Sequence, residues 1–296
     1  MTSHVPRVKT RLSLPAHRKV RGLLDGEYAA VQTGRSMDFN DLREYVRGDD
    51  VKDLDWKASA RSRTLLVKRY AAVRKHSVLL AVSTGRSMAA SNDAAVRKRD
   101  LAVFCAGLVG WLATRNGDLV GTVHGDAERQ VALPFASGEL HLERALAAAY
   151  DATTLESAPS AVVAVLQHVA RSVRRRTILL VVCDDDDGTP ELARALRRLV
   201  VQHEVLLVSV GDVDPTGVGR GAASSVDIDT GRVLPAWMRE DPALQAEYAT
   251  MVATQDDRLR DVLESLGIVH ARIHDEESAI RAVFRLLERH RHARRR

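Results

Sequence analysis

The chain has 296 residues, 44 Lys and Arg against 39 Asp and Glu, a formal net charge of +5 and a pI near 9.4. Its 45% apolar content and modest Gly and Pro usage fit a soluble, intracellular protein of one large domain with an appendage. The basic balance alone does not define a nucleic-acid binder, because basic residues are interspersed with acidic ones, aromatics are scarce, and no familiar nucleic-acid-binding signature is present.

Residues 1–21 are basic and lack the apolar stretch and cleavage site of a secretory signal, so they are expected to be an unstructured N-terminus of a cytoplasmic protein. Residues 22–74 form a segment in which charges, turn residues and aromatics alternate tightly. Gly48-Asp49-Asp50 has turn chemistry, Asp53 and Asp55 extend an acidic face, and Lys57, Arg61, Arg63, Lys68 and Arg69 reverse the sign. Trp56 is expected to be an apolar anchor. Together with Phe39, Leu42, Tyr45 and Leu54 it is expected to pack the segment onto the following domain, so that its substitution harms folding first.

Gly26, Gly34, Asp38-Phe39, Leu42-Arg43-Glu44-Tyr45, Gly48-Asp49-Asp50, Asp55-Trp56 and Ser59-Ala60-Arg61 resemble, in order and spacing, the signature of the bacterial family called domain of unknown function 58. The resemblance runs from about Gly22 to nearly the C-terminus. It implies a von Willebrand factor A-like domain after the signature, and signature residues Arg43, Tyr45, Gly48, Asp49, Asp50, Asp55, Trp56, Ser59 and Arg61 in folding or partner binding. It also implies association with a MoxR-type AAA+ ATPase and its client. Many members carry membrane helices before the signature; their absence here reads as a soluble branch.

From residue 75 to 290 strand-like and helix-like runs alternate, which predicts α/β architecture with a doubly wound, mostly parallel sheet. Ser77–Ser83 is a buried strand and 93–115 a long helix. The apolar run Leu101 to Ala113 within it is roughly half the ~20 residues needed to cross a bilayer. Residues 118–124 and 129–135 form two strands joined by a Gly125-Asp126 turn, followed by helices over 139–150 and 160–174. The run 177–183 is a second buried strand, and Thr189-Pro190 starts the next helix as N-cap and first helical residue. A strand over 204–210, a projecting hairpin over 226–234, a helix over 241–266, a strand over 268–273 and a helix over 278–290 complete the domain, leaving 291–296 as a basic tail. Cys105 and Cys183 sit in apolar runs and read as reduced, buried thiols.

The resemblance also implies a metal-ion-dependent adhesion site with the pattern D-x-S-x-S. Here that loop is Ser83-Thr84-Gly85-Arg86-Ser87: Ser83 replaces the carboxylate, Gly85 the next ligand, and only Ser87 matches. Asp184 corresponds to the distal aspartate, and Ser160 is a poor candidate for the remaining hydroxyl. Mg²⁺ wants about six hard oxygens, so the site reads as degenerate and no cofactor is expected. Arg86 is expected to meet a partner's carboxylate directly. No nucleotide-phosphate loop, H-E-x-x-H or G-x-S-x-G is present, so the chain is expected not to be an enzyme. The expectation is a protein-protein adaptor. A nucleic-acid-binding protein and a metal-dependent hydrolase using the Asp-rich segment are the alternatives.

Overall fold

The computed structural model describes residues 3–13, 41–46, 54–62, 64–69, 76–92, 96–185, 188–212, 224–235 and 241–293. Its centre is a six-stranded sheet built from β3 (Ser77–Ser83), β4 (Leu119–Gly125), β5 (Gln130–Ala136), β6 (Ile178–Asp184), β7 (Glu204–Val210) and β10 (Val269–Ile273). Their order is β10-β7-β6-β3-β4-β5, with every neighbour parallel except β5, which returns antiparallel along β4. Numbered within the sheet, this is the doubly wound order 3-2-1-4-5-6, so chain connections diverge between β3 and β6. The expected fold class is therefore the one found.

β3 and β7 are buried along their whole length, because helices cover both faces. Val78, Leu80 and Val82 of β3 enter one core, while Leu79 and Ala81 enter the other. The first core is roofed by α3 (Lys98–Arg115), α4 (Glu139–Asp151) and α8 (Glu276–Ala293), the second by α5 (Val162–Ser172), α6 (Pro190–Val200) and α7 (Pro242–Ser265). α3 is buried all round from Leu101 to Ala113, as a helix with the sheet beneath it and other helices above must be. Among the described residues no helix is long and apolar enough to cross a membrane. Cys105 and Cys183 are buried free thiols, and burial pushes the Cys105 thiol up to about 12.

The N-terminus departs from expectation. α1 (His4–Ser13) places Val5, Val8 and Leu12 on one face, all buried in the first core against α3 and α4. Each such side chain contributes about 1.5–3 kcal/mol of burial. The two carboxylate oxygens of Glu143 accept from His4 N and Val5 N at 2.7 Å each, capping the helix. Among the described residues, the Lys and Arg side chains that suggested an unstructured arm are paired: Lys9 with Glu139 at 2.6 Å, and Arg7 and Arg11 with Glu276. The C-terminal helix likewise continues to Ala293, so the first part of the expected tail is helical.

The signature contributes a small unit of its own. β1 (Asp41–Glu44) pairs antiparallel with β2 (Leu66–Arg69), and α2 (Trp56–Ser62) lies between them in sequence. A hairpin of β8 (Ser224–Val226) and β9 (Val233–Pro235) stands where the sequence predicts one.

Candidate functional site

In a doubly wound sheet, ligands and partners meet the crevice at the carboxyl ends of the strands where connections diverge. Here that crevice is formed by the loops after β3 and β6. The loop after β3 continues as a short 3₁₀ turn, Arg86–Ala89. It is fastened to the segment before α5, where Arg86 N donates to Ala158 O at 3.0 Å; the β4–β5 turn holds the same segment, Ala127 N donating to Pro159 O at 3.0 Å. Ser87 Oγ and Ser160 Oγ are 2.5 Å apart. Ser160 therefore lies beside Ser87, a position its sequence context did not suggest.

The residues present do not fit a divalent cation. Gly85 stands at the second ligand position, and a Cβ there would lie 2.3 Å from Ser160 Cα and 2.4 Å from its nitrogen, so Ser160 backbone fills the space a ligand side chain would need. Ser83 offers a hydroxyl in place of a carboxylate, buried and with no hydrogen-bond partner among the described residues. Ser87 and Ser160 satisfy each other. Asp184, the remaining carboxylate, accepts from the ammonium of Lys98 at 2.7 Å and from Asp185 N at 3.0 Å. A hard cation would have to displace a lysine and prise two loops apart.

Lys98 is the functional-site residue that the sequence did not reveal. It is 1% exposed, and its Nζ lies between Asp184 Oδ1 at 2.7 Å and Asp212 Oδ1 at 3.2 Å, bridging the ends of β6 and β7. Burial opposes its charge, yet Asp184 and Asp212 together outweigh burial and raise its pKa above the ordinary lysine value. Its signal was faint: it sits in the run Arg97-Lys98-Arg99-Asp100, where a charge cluster reads as a solvated face. Only its i+3, i+4 and i+7 neighbours, Leu101, Ala102 and Cys105, mark it as inward.

Beside this clamp the charges continue outward. Arg272 pairs with Asp185 and, at 3.3 Å, with Asp256; burial raises the Asp185 carboxyl above its ordinary value, opposed by Arg272. Arg86, expected to meet a partner's carboxylate, meets one within the chain. Its Nε lies 3.6 Å from Asp229 Oδ1, at the tip of the β8–β9 hairpin. The hairpin's own carboxylate thus occupies the contact expected for a partner's.

In the signature unit the expected roles divide differently. Asp55 is the N-cap of α2: its Oδ1 accepts from Lys57 N at 3.1 Å and Ala58 N at 3.0 Å. That binds a carboxylate proposed for hydrolytic chemistry into the local fold. Ser59 is buried and its Oγ accepts from Leu66 N at 2.8 Å, latching α2 to β2. Tyr45 is half-buried and its N–H donates to Leu65 O at 2.8 Å, while Arg43 is paired opposite Val67. Arg61 is exposed. Gly48, Asp49, Asp50, Asp53 and Phe39 lie outside the described residues. Trp56 is the correction: it is 64% exposed and is not an apolar anchor among the described residues. Leu54, 8% exposed and bridged to Val67, takes the anchoring place. Leu42, Val46 and Leu65 join Trp56 as large apolar side chains left exposed on this small unit.

A family model described as "Protein of unknown function DUF58" matches residues 41–258. An uncharacterized protein of Mycobacterium bovis is 30% identical over 251 residues, covering 82% of this chain and 76% of that protein. An uncharacterized protein of Mycobacterium tuberculosis matches to the same extent, at 30% identity over 251 residues. Among solved structures, an aerotolerance-related membrane protein from Bacteroides fragilis aligns with a TM-score of 0.44 at 15% identity, covering 72% of this chain and 98% of that one. A von Willebrand factor type A structure from Catenulispora acidiphila aligns with a TM-score of 0.43 at 14% identity, covering 73% and 43%.

Proposed function

The chain belongs to the DUF58 family, and we propose that it is a non-catalytic, cytoplasmic adaptor that binds other proteins through its signature unit. The observation that supports this reading most directly is the exposure of Trp56 (64%), Val46 (61%), Leu65 (49%) and Leu42 (38%) on one two-stranded, one-helix unit. Large apolar side chains gathered on a small unit mark an interaction site more often than chance exposure, and tryptophan is the residue type most enriched among binding hot spots. The clamp of Lys98, Asp184 and Asp212 supports the same reading, since it spends the crevice's charges on each other rather than on a substrate. In keeping with the family resemblance, the partner proposed is a MoxR-type AAA+ ATPase, with the adaptor joining it to a client.

The test is capture of the ATPase by the tagged full chain, with and without ATP and Mg²⁺, comparing wild type with Trp56→Ala. The variant is expected to keep its melting temperature, because an exposed side chain contributes within about 0.5 kcal/mol to stability. It is expected to lose most of the captured ATPase. Equal capture by wild type and variant would remove the signature unit as the docking site; a variant that unfolds would return Trp56 to the folding role expected from sequence.

A further inference from the structure

The two edges of the central sheet are treated differently. β5 ends the sheet on one side and carries Pro134 beside a break in register against β4, a combination that discourages further strand pairing. β10 ends it on the other side without proline, and its open edge forms the floor of a groove of about 330 Å³. Four consecutive strand residues, Val269 to Arg272, line that floor, with α7 forming one wall and α8 the other. Gly211 N donates to Ile273 O at 2.9 Å, which turns the backbone groups of Ile273 toward β7. By the two-residue alternation of a strand, the N–H and C=O of His270 and Arg272 turn toward the groove. Neither has a backbone hydrogen-bond partner on that side among the described residues.

The walls are cationic. Arg260 projects from α7, and Arg285 and Arg289 from α8, all exposed. Arg272 lies on the floor and already holds Asp256, the acidic residue of the lining, while Arg260 lies 2.6 Å from Asp257. Arg285 and Arg289 make no ion pair among the described residues. We propose that this groove takes an extended acidic segment of a partner protein, which adds a strand to β10 and sets its carboxylates against Arg285 and Arg289. Strand addition derives affinity from main-chain hydrogen bonds and selects the partner by side-chain complementarity. A second copy of this chain is disfavoured, because edge-to-edge pairing would bring two sets of arginines together. Nucleic acid is disfavoured because no Phe, Tyr or Trp lines the groove to stack a base.

This surface goes beyond the signature-unit reading and is tested separately from it. The probe is a fluorescent, proline-free peptide of alternating Glu and Val, titrated into the full chain and followed by anisotropy. Comparison probes are the same peptide N-methylated at alternate amides, a Lys-Val counterpart and a single-stranded oligonucleotide. Saturable binding is expected, about tenfold weaker after N-methylation and about tenfold weaker in Arg285→Glu/Arg289→Glu. That variant should instead favour the Lys-Val peptide, and its exposed positions leave the melting temperature unchanged. Trp56→Ala should bind the acidic peptide as wild type does, which separates this site from the adaptor's signature unit. Absence of binding, indifference to N-methylation, indifference to charge reversal, or preference for the oligonucleotide would each overturn the proposal.

Discussion

Lys98 is the first residue of α3, where the helix dipole disfavours a cation and burial disfavours any charge. It is tolerated because two carboxylates from different strand ends converge on one ammonium, 2.7 and 3.2 Å away. Removing the ammonium leaves Asp184 uncompensated while Asp212, 54% exposed, is met by water, at a cost of about 3 kcal/mol, the low end for a buried pair. Lys98→Ala is therefore expected to lower stability by that amount in urea unfolding, and Lys98→Ala/Asp184→Asn to recover part of the loss. The same argument makes a second expectation. With the ammonium gone, Asp184 and Asp212 are left facing a vacated volume, so millimolar Mn²⁺ should raise the melting temperature of Lys98→Ala and leave wild type unmoved. Equal responses in both proteins would mean that Lys98 is not the internal cation of this crevice. The metal-site residues legible in sequence were those with a pattern to match, Ser83, Ser87 and Asp184. Lys98 and Asp212 were hidden, and Ser160 was only a poor candidate, because what places them is tertiary: a lysine in a charged run, a strand-end aspartate and a loop serine acquire meaning only when three loops meet.

At the scale of elements the alternation of apolar runs was enough to place the sheet strands and the helices between them, because a doubly wound sheet imposes burial on both faces of its central strands. Thr189 illustrates how local chemistry sharpened a boundary, its Oγ1 accepting from Leu192 N at 3.2 Å with Pro190 next in line. α1 was missed because its charges were read before its period: Val5, Val8 and Leu12 recur at helical spacing, but three apolar residues interleaved with Arg7, Lys9 and Arg11 look solvated until Glu139, Glu143 and Glu276 arrive from distant elements. The β8–β9 hairpin was legible as a turn, yet its contact was not. Asp227 fastens that turn by accepting from Asp229 N at 3.0 Å and Thr230 N at 2.6 Å, and these bonds hold its carboxyl below the ordinary range. The turn thereby presents Asp229 to Arg86. Asp229→Ala should cost under about 1 kcal/mol, as expected for a part-exposed ion pair. If Arg86 is a docking residue shielded by the hairpin, this variant should recover more ATPase in the capture assay than wild type, and Arg86→Ala less. Unchanged recovery in both would confine the pair to holding the hairpin in place.

For the whole molecule the interior histidines set the response to acid. Burial lowers the pKa of His4, His124, His203 and His270, with Arg129, Arg176 and Arg272 reinforcing the last three, and His270 reaches about 4. Asp256 pulls His270 upward and Arg260 downward, so no neighbouring carboxylate rescues its charge. These rings fold neutral: His270 shares a hydrogen bond with Ser209 Oγ at 3.0 Å, and His203 with Thr177 Oγ1 at 3.0 Å. Because the folded values lie below the unfolded value of about 6.5, the unfolded chain binds protons first as pH falls. Stability is therefore full above pH 6.5 and declines below it, with the His270 share exhausted near its folded pKa of about 4. That share is on the order of 3 kcal/mol, from a shift of roughly two and a half pKa units. The melting temperature is expected to drop between pH 7 and 4.5, and His270→Gln, which keeps a partner for Ser209, to flatten the steepest part of the drop. A profile level over that range would show that these rings titrate alike in the folded and unfolded chain, and would overturn their assignment as the source of acid sensitivity.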